Sequence, residues 1–475
     1  MNPLHCDTAI IGAGAAGLSL AAGLSQLGLN VILIEKGLMG GDCLNYGCVP
    51  SKALIACAKN FWQARHSQSL GLLHVSSPQE QLDFHQVMRH VHETIDTLAV
   101  HDSVARFESL GVNVIQAQAR FIDKKTILAG DYAIKAKRIV IATGSSPAIP
   151  PIPGLDEVPY LTNETLFKLT ELPRHLLVIG GGPIGCELAQ AFAMLGSHVS
   201  LLESQVILNR DDAECAAIVR QSMENTGVHL YEGVEIHRIT HEATGIRIAA
   251  QHHQKSLELN GSHLLVAAGR ITPVDELGLE AAGIRCDGRH IAVNRMLRTS
   301  NRRVFAIGDA AGRLQFTHVA NDHAGLVLKQ IAFKLPVRLQ ENAIPWVTYT
   351  YPELAHVGLS EQDALQRPDH YRILKLDFKA NDRANTDGKT QGLLKVIVTK
   401  KGTVSGVSLC TEDAGELIFP WILAVREQRS LRLFTDTIIP YPTRNELSKR
   451  LAGQFYAPKL FSPWVKKIVR MLSWF

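Results

Sequence analysis

Several features that mark broad protein classes are scarce in this sequence. Its eight cysteines in 475 residues lie mostly singly, which excludes the disulfide framework of a small secreted scaffold. Formal net charge is only +4, which excludes the broad positive field of a chain built for nucleic acid. The opening residues, MNPLHCD, lack the basic region of a signal peptide, so a reducing cytoplasm is the expected setting. Thr8 to Ile34 carries no charge and is long enough to suggest a membrane span. Its glycines and the polar Ser25, Gln26 and Asn30 instead divide it into strand, turn, helix and strand.

With 46% apolar residues, the chain can bury the cores of two to four domains. TAIIGAGAAGLSLAAGLSQLGLNVILIE (8–35) carries Gly12, Gly14 and Gly17 after an apolar strand and ends on Glu35. LLVIGGGPIGCELAQAFAMLGSHVSLLE (176–203) repeats the pattern with Gly180, Gly182, Gly185 and Glu203. In both, the acid follows the first glycine by 23 residues. Glycine permits the tight turn and lets backbone N–H groups approach a pyrophosphate, while the acid accepts hydrogen bonds from a ribose. One such turn is a weak signal, but two copies in the same context predict two dinucleotide sites with hydride traffic between them. IVIATGSSP (139–147) closes the first unit as LLVAAGRITP (264–273) closes the second. VFAIGDAAG (304–312) then reads as a buried strand that returns the chain to the first domain, with Asp309 beside the first cofactor.

GGDCLNYGCVPSK (40–52) follows the first unit and holds Cys43 and Cys48 in a glycine-rich turn. The residues alone leave open a metal clip, a structural disulfide or a redox pair. A clip needs two further soft ligands, and none stands at suitable spacing.

These motifs, together with AIGDAAG and IPWVTYTYPELAHVGLSE (344–361), resemble the FAD-dependent pyridine nucleotide–disulfide oxidoreductases, in the branch of dihydrolipoyl dehydrogenase and mercuric reductase. FTHVA (316–320) and DRANTDGKTQGLLKVIV (382–398) incline the resemblance toward mercuric reductase. The resemblance implies an α/β fold with two Rossmann-like domains, the second inserted in the first, and a C-terminal α+β dimerisation domain. Expected boundaries are 1–148 with 271–340 for FAD, 149–270 for NAD(P), 341–460 for dimerisation and 461–475 for a basic tail. FAD is expected on Gly12, Gly14, Gly17, Glu35, Gly41, Lys52, Thr143, Gly144, Gly308, Asp309 and His318. The pyridine nucleotide is expected on Gly180, Gly182, Gly185, Glu203, Gly269 and Arg270. Glu203 favours NADH by suiting a free ribose 2′-OH, and nearby Arg210 keeps NADPH as the alternative.

The resemblance further implies that Cys43–Cys48 is a reversible disulfide, with Cys48 facing the flavin and Cys43 exchanging with substrate. Lys52 is expected near the flavin, paired with Glu187. The other cysteines (Cys6, Cys57, Cys186, Cys215, Cys286 and Cys410) are expected to be packing residues. No metal site is expected.

The pattern breaks at the substrate end. The family's His-Pro-Thr-x-x-Glu motif reads here Tyr441-Pro442-Thr443-Arg444-Asn445-Glu446. A tyrosine, with an ordinary pKa near 10, donates a proton but is a poor base at neutral pH. Mercuric reductases also carry tyrosine around this position but deliver their metal through a C-terminal cysteine pair, and no cysteine follows Cys410 here. The function expected is therefore a homodimeric NAD(P)H oxidoreductase acting on a small disulfide or other thiol-reactive acceptor. Dihydrolipoyl dehydrogenase and a membrane-associated NADH:quinone-type reductase are the alternatives. The last of these rests on the tail. From Arg444 onward seven basic residues face one acid, a net +6 that leaves −2 for the rest. Trp464, Val465, Ile468, Val469 and Leu472 share one helical face and Lys466, Lys467 and Arg470 the other. Such a helix either docks on its own dimer or lies peripherally on the inner face of a membrane.

Overall fold

The computed structural model of the chain describes residues 2–69, 82–243, 245–288, 290–312 and 314–474. Contacts divide it into two compact units: Met1–Gly180, Ala191–Leu202 and Val234–Gln340 form one, and Gly181–Gln190, Glu203–Gly233 and Glu341–Phe475 the other.

In the first unit, four parallel strands run Asn113–Gln116, Val31–Glu35, Asn2–Ile11 and Tyr132–Ile141 in spatial order. Ile10, Val31, Leu33 and Val140 are fully buried against the helices Ala15–Gln26 and Thr317–Ala332, and Ile139 on the opposite face packs with Leu277, Leu279, Ala282 and Ile284. Thr126–Ala129 and Ala119–Phe121 extend the sheet antiparallel. Val304–Ala306 pairs in parallel with the end of Tyr132–Ile141, so the first sheet is completed by a strand that follows the whole second repeat. The helix Ala15–Gln26 buries Ala16, Gly17, Leu20, Ala21 and Leu24, a small-residue face that lets it lie close to the strands.

The second repeat builds the same motif. His198–Glu203, His175–Ile179 and His263–Val266 are parallel neighbours. A three-stranded antiparallel meander, Val234–Glu242, Gly245–His252 and Lys255–Gly261, connects back to the last of them.

In the second unit, five antiparallel strands lie in the order Pro345–Thr348, Glu353–Gly358, Val404–Thr411, Leu393–Thr399, Tyr371–Asp377. Their core is filled by Phe378, Trp421 and Phe434, the last two with ring centroids 3.9 Å apart. The chain continues through the helices Glu446–Leu460 and Pro463–Leu472. Among the described residues, no helix is long and apolar enough to cross a membrane.

Candidate functional site

The two glycine turns are alike down to their hydrogen bonds. Gly12 has φ 106°, and a Cβ there would lie 2.3 Å from the carbonyl oxygen of Ala142, so only glycine lets the turn rest on the strand end. Gly180 has φ 110° and the same constraint against Ala267 O at 2.5 Å. Glu35 accepts the Ala13 N–H at 2.6 Å and the Gly37 N–H at 2.8 Å. Glu203 accepts the Gly181 N–H at 2.7 Å and the Gln205 N–H at 2.9 Å. Each acid is thus oriented by its own turn, and a carboxylate with about four lone-pair sites can still accept ribose hydroxyls. Gly14 caps the helix Ala15–Gln26 without a side-chain bond, leaving the first helical N–H groups and the positive end of the dipole for an anion.

The remaining residues of the first site converge on this turn. Gly308 has φ 62°, and its N–H donates to Nδ1 of the fully buried His323 at 3.1 Å. Asp309 accepts the Ser145 hydroxyl at 2.5 Å. Burial pushes the Asp309 carboxyl above its ordinary range, against the hydrogen bond from Ser145 and the charge of Arg270. Thr143 Oγ1 is buried without a hydrogen-bond partner, beside Gly144 at φ 68°. A glycine cradle, an uncapped helix start, an acid at the ribose position and an orphaned hydroxyl fit a bound dinucleotide such as FAD. Arg270, expected at the pyridine nucleotide, is engaged with Ser145 and Asp42. Its guanidinium donates to Ser145 Oγ at 2.7 Å and Ser145 O at 2.8 Å and lies 3.2 Å from Asp42. His318 is exposed and stacks on Phe316 with ring centroids 5.2 Å apart.

The cysteine turn packs directly on the first glycine turn. A Cβ on Gly41 would meet Gly14 Cα at 2.6 Å, and the Gly40 N–H donates to Ala13 O at 2.9 Å. Cys43 lies in the short helix Gly41–Asn45, and Cys48 opens the long helix Cys48–Ser69. Both are free thiols, Cys43 half-buried and Cys48 exposed. The Cys48 pKa is lowered to about 6 by the hydrogen bond from Cys43, with Thr317 and the charge of Lys52 acting in the same sense against burial. A helix N-terminus adds to that preference for thiolate. The Cys43 thiol is raised, first by its hydrogen bond to Cys48, then by burial and the neighbouring negative sulfur. The pair therefore holds one proton on Cys43 and a thiolate on Cys48.

Sequence reasoning missed several of these residues. Thr317 Oγ1 stands 3.3 Å from Cys48 Sγ. Its only sequence signal is its place in FTHVA, where His318 drew attention instead. Ser145 and Asp42 lie inside the motifs 139–147 and 40–52 without being singled out there, and His323 lies in none. Cys6, Cys186, Cys215 and Cys410 are buried as expected, and Cys57 is half-buried. Cys286 corrects the expectation: it is exposed, because it begins a two-residue ladder with His290–Ile291 rather than packing in a core.

Glu187, Tyr441 and Glu446 belong to the second unit. Glu187 is buried and accepts the Tyr349 N–H at 2.8 Å. Tyr441 is 69% exposed, and its hydroxyl donates to Asp382 at 3.2 Å. That carboxylate raises the tyrosine's pKa and holds it protonated. Glu446 opens the helix Glu446–Leu460, and Arg444 beside it is fixed by Asp387 at 2.8 Å and Glu412 at 3.1 Å.

With Cys48 as thiolate, the Thr317 hydroxyl donates to it, and hydrogen bonds to charged groups are worth about 1.5–3 kcal/mol. Lowering the pH through about 6 protonates Cys48. Thr317→Val is expected to move that midpoint upward. After discounting for exposure, alkylation of Cys48 at pH 6 should slow by roughly tenfold. Peptide-resolved iodoacetamide kinetics on the reduced protein measure this, and an unchanged midpoint would remove Thr317 from the site.

The family described as pyridine nucleotide-disulphide oxidoreductase matches residues 6–324, and its dimerisation domain matches residues 344–452. A mercuric reductase of Lysinibacillus sphaericus is 31% identical, covering 96% of this chain and 83% of that protein. A dihydrolipoyl dehydrogenase of Bacillus subtilis (strain 168) is 29% identical, covering 92% of this chain and 96% of its own. Among solved structures, the Cu(II) complex of the HOCl-induced flavoprotein disulfide reductase RclA from Escherichia coli superposes with a TM-score of 0.85 at 29% identity. The match covers 96% of this chain and 100% of that one.

Proposed function

The chain belongs to the pyridine nucleotide-disulphide oxidoreductase family, and from that premise we propose that its Cys43–Cys48 pair reduces a small, soft, thiol-reactive acceptor. Membership makes it an oxidoreductase dependent on FAD and NAD(P)H, and its dimerisation domain supports a homodimer. The observation that carries the proposal is the unequal pair: a Cys48 thiol lowered to about 6 beside a Cys43 thiol raised by it, packed on the first glycine turn. Gly12, Gly14, Gly17, Glu35, Gly41, Thr143, Gly144, Gly308 and Asp309 would hold FAD, which would supply a two-electron link between NAD(P)H and the disulfide.

Lys52 and Thr317 stabilise negative charge on the Cys48 sulfur. The Cys43 sulfur attacks one sulfur of a disulfide acceptor, and its proton passes to the sulfur that is expelled, which leaves as a thiol. Cys48 then attacks the Cys43 sulfur of the mixed disulfide, releasing the acceptor's other sulfur as a thiolate and restoring the Cys43–Cys48 bond. Two electrons leave the pair and two sulfurs of the acceptor gain them. Tyr441, its pKa raised by Asp382, stays protonated at neutral pH and is unsuited to remove a proton from a dithiol, whereas reduction of a disulfide needs no such base. That asymmetry favours the reductive direction over dihydrolipoamide oxidation. Mercury and Cu(II) are named for relatives, and they support a soft thiol-reactive acceptor for this chain as well. At the second turn, Gly180, Gly182, Gly185 and Glu203 would hold the nicotinamide dinucleotide, and the Glu203 carboxylate favours NADH because it would repel a 2′-phosphate.

One equivalent of NADH, added anaerobically to the oxidised holoenzyme, is expected to expose two new titratable thiols per subunit, mapped to Cys43 and Cys48. A thiol count that does not rise, with the flavin bleached by that first equivalent, would overturn the proposal.

A further inference from the structure

The helix Pro463–Leu472 is folded yet buries no side chain fully. Ser462 caps its start by accepting the Val465 N–H, Pro463 occupies its first turn, and no residue along it is buried. Trp464 is 71% exposed, Met471 63%, Leu472 61% and Val469 57%. Leu460 and Phe461 before the helix and Trp474 after it are exposed as well, while Val465 and Ile468 are half-buried. A surface with this many adjacent large apolar side chains marks an interaction site rather than ordinary scatter. Its own chain therefore leaves most of the helix's apolar face uncovered.

Two occupants remain: a second copy of the chain or a lipid surface. The charges separate them. Lys459, Lys466, Lys467 and Arg470 line this segment, and no acidic residue follows Glu446. Apposing two copies of the helix would bring like charges together with nothing to neutralise them. The segment also lies beyond residues 344–452, where the dimerisation domain matches. An apolar face bounded by tryptophans, with a purely cationic opposite face, complements anionic headgroups over acyl chains.

We propose that Pro463–Leu472 is a peripheral membrane-binding helix that lays its Trp464–Ile468–Leu472 face into an anionic bilayer, with Lys466, Lys467 and Arg470 at the headgroups. Each basic residue near such a surface contributes about fivefold in binding, so three together contribute on the order of 100-fold. The redox site does not take part, so this inference stands or falls separately from the acceptor reading.

The test is co-sedimentation of the full-length holoenzyme with vesicles of phosphatidylglycerol and phosphatidylcholine, and with phosphatidylcholine alone. The full chain is expected to pellet with the anionic vesicles and to be released by high salt. A triple variant, K466E with K467E and R470E, is expected to bind on the order of 100-fold more weakly while retaining its FAD and its dimeric mass. Removal of residues 462–475 should do the same, and Trp464 fluorescence should shift to the blue on anionic vesicles only with the tail intact. Equal pelleting of full-length and altered protein, or no pelleting at all, would overturn the proposal. So would dissociation of the dimer in the triple variant, since it would identify a second copy as the occupant.

Discussion

Cys43→Ser is expected to lower turnover of any disulfide or soft-metal acceptor by at least about 10³-fold, in a holoenzyme that still binds FAD and still oxidises NADH once. The substitution is conservative where it needs to be. A serine hydroxyl can still donate to the Cys48 sulfur, so the largest cause of that thiol's lowered pKa is retained. What is lost is the sulfur itself: serine neither ionises near neutral pH nor forms a sulfur–sulfur bond. The variant therefore separates transfer through the thiol pair from direct transfer to a quinone-type acceptor. Steady-state NADH oxidation with glutathione disulfide, Hg(II) and menadione reads both routes. Collapse on the first two acceptors supports the thiol route, and wild-type turnover on glutathione disulfide would sink it.

The second large effect lies far from the thiols in sequence. Lys395→Met is expected to destabilise the second unit by about 3–5 kcal/mol, the usual result of removing one member of a buried ionic cluster. Lys395 is 1% exposed in an apolar strand, and its Nζ lies 2.6 Å from Asp212, 2.6 Å from Glu214 and in contact with Glu361. Burial opposes its charge, but the three carboxylate hydrogen bonds outweigh this and raise its pKa. Asp212 also caps the helix Ala213–Asn225 by accepting the Glu214 and Cys215 N–H groups. Without the ammonium, three neighbouring carboxylates repel one another. Among the described residues this is the one acidic group spaced to hold a metal ion, and a lysine already fills it.

Thermal melts should show the midpoint falling on the order of 5–10 °C. Adding Glu361→Gln should restore part of it, because one of the uncompensated charges is then gone. An unchanged melt for Lys395→Met would mean that the cluster contributes nothing. The pH dependence has a definite sign. The Glu214 carboxyl is lowered from 4.5, by Lys375 first and Lys395 next. Its contribution is full above 4.5 and is lost as pH falls through the lower folded value.

Much of the first unit was legible because glycine turns are local chemistry. The 23-residue spacing from Gly12 to Glu35 and from Gly180 to Glu203 predicted two turns, and both acids do reach back to their own turn N–H groups. The proximity of the cysteine turn to the first glycine turn was likewise implied by their order in the chain, and Gly41 against Gly14 realises it. Arg270 shows what a motif leaves open, since it states which residue follows a strand, not which way its side chain reaches. That arginine turns to Ser145 and Asp42, which have no spacing relation to it. Thr317 escaped notice for a similar reason, since it meets Cys48 across 269 residues of chain.

By itself, the amino-acid sequence determined the elements whose physics is confined to a few consecutive residues: two glycine turns, the paired thiols and a tail helix with one apolar and one basic face. Tertiary structure alone decided which groups share a proton, which charges are buried together and what the tail leaves uncovered. It lowered the Cys48 thiol through its hydrogen bond with Cys43, with Thr317 and Lys52 acting in the same sense, enclosed Lys395 among three acids and left most of the tail's apolar face open. The division has one cause. Backbone conformation and periodicity follow from near neighbours, whereas burial and electrostatic coupling depend on distance in space, which residues far apart in the chain settle only when it folds.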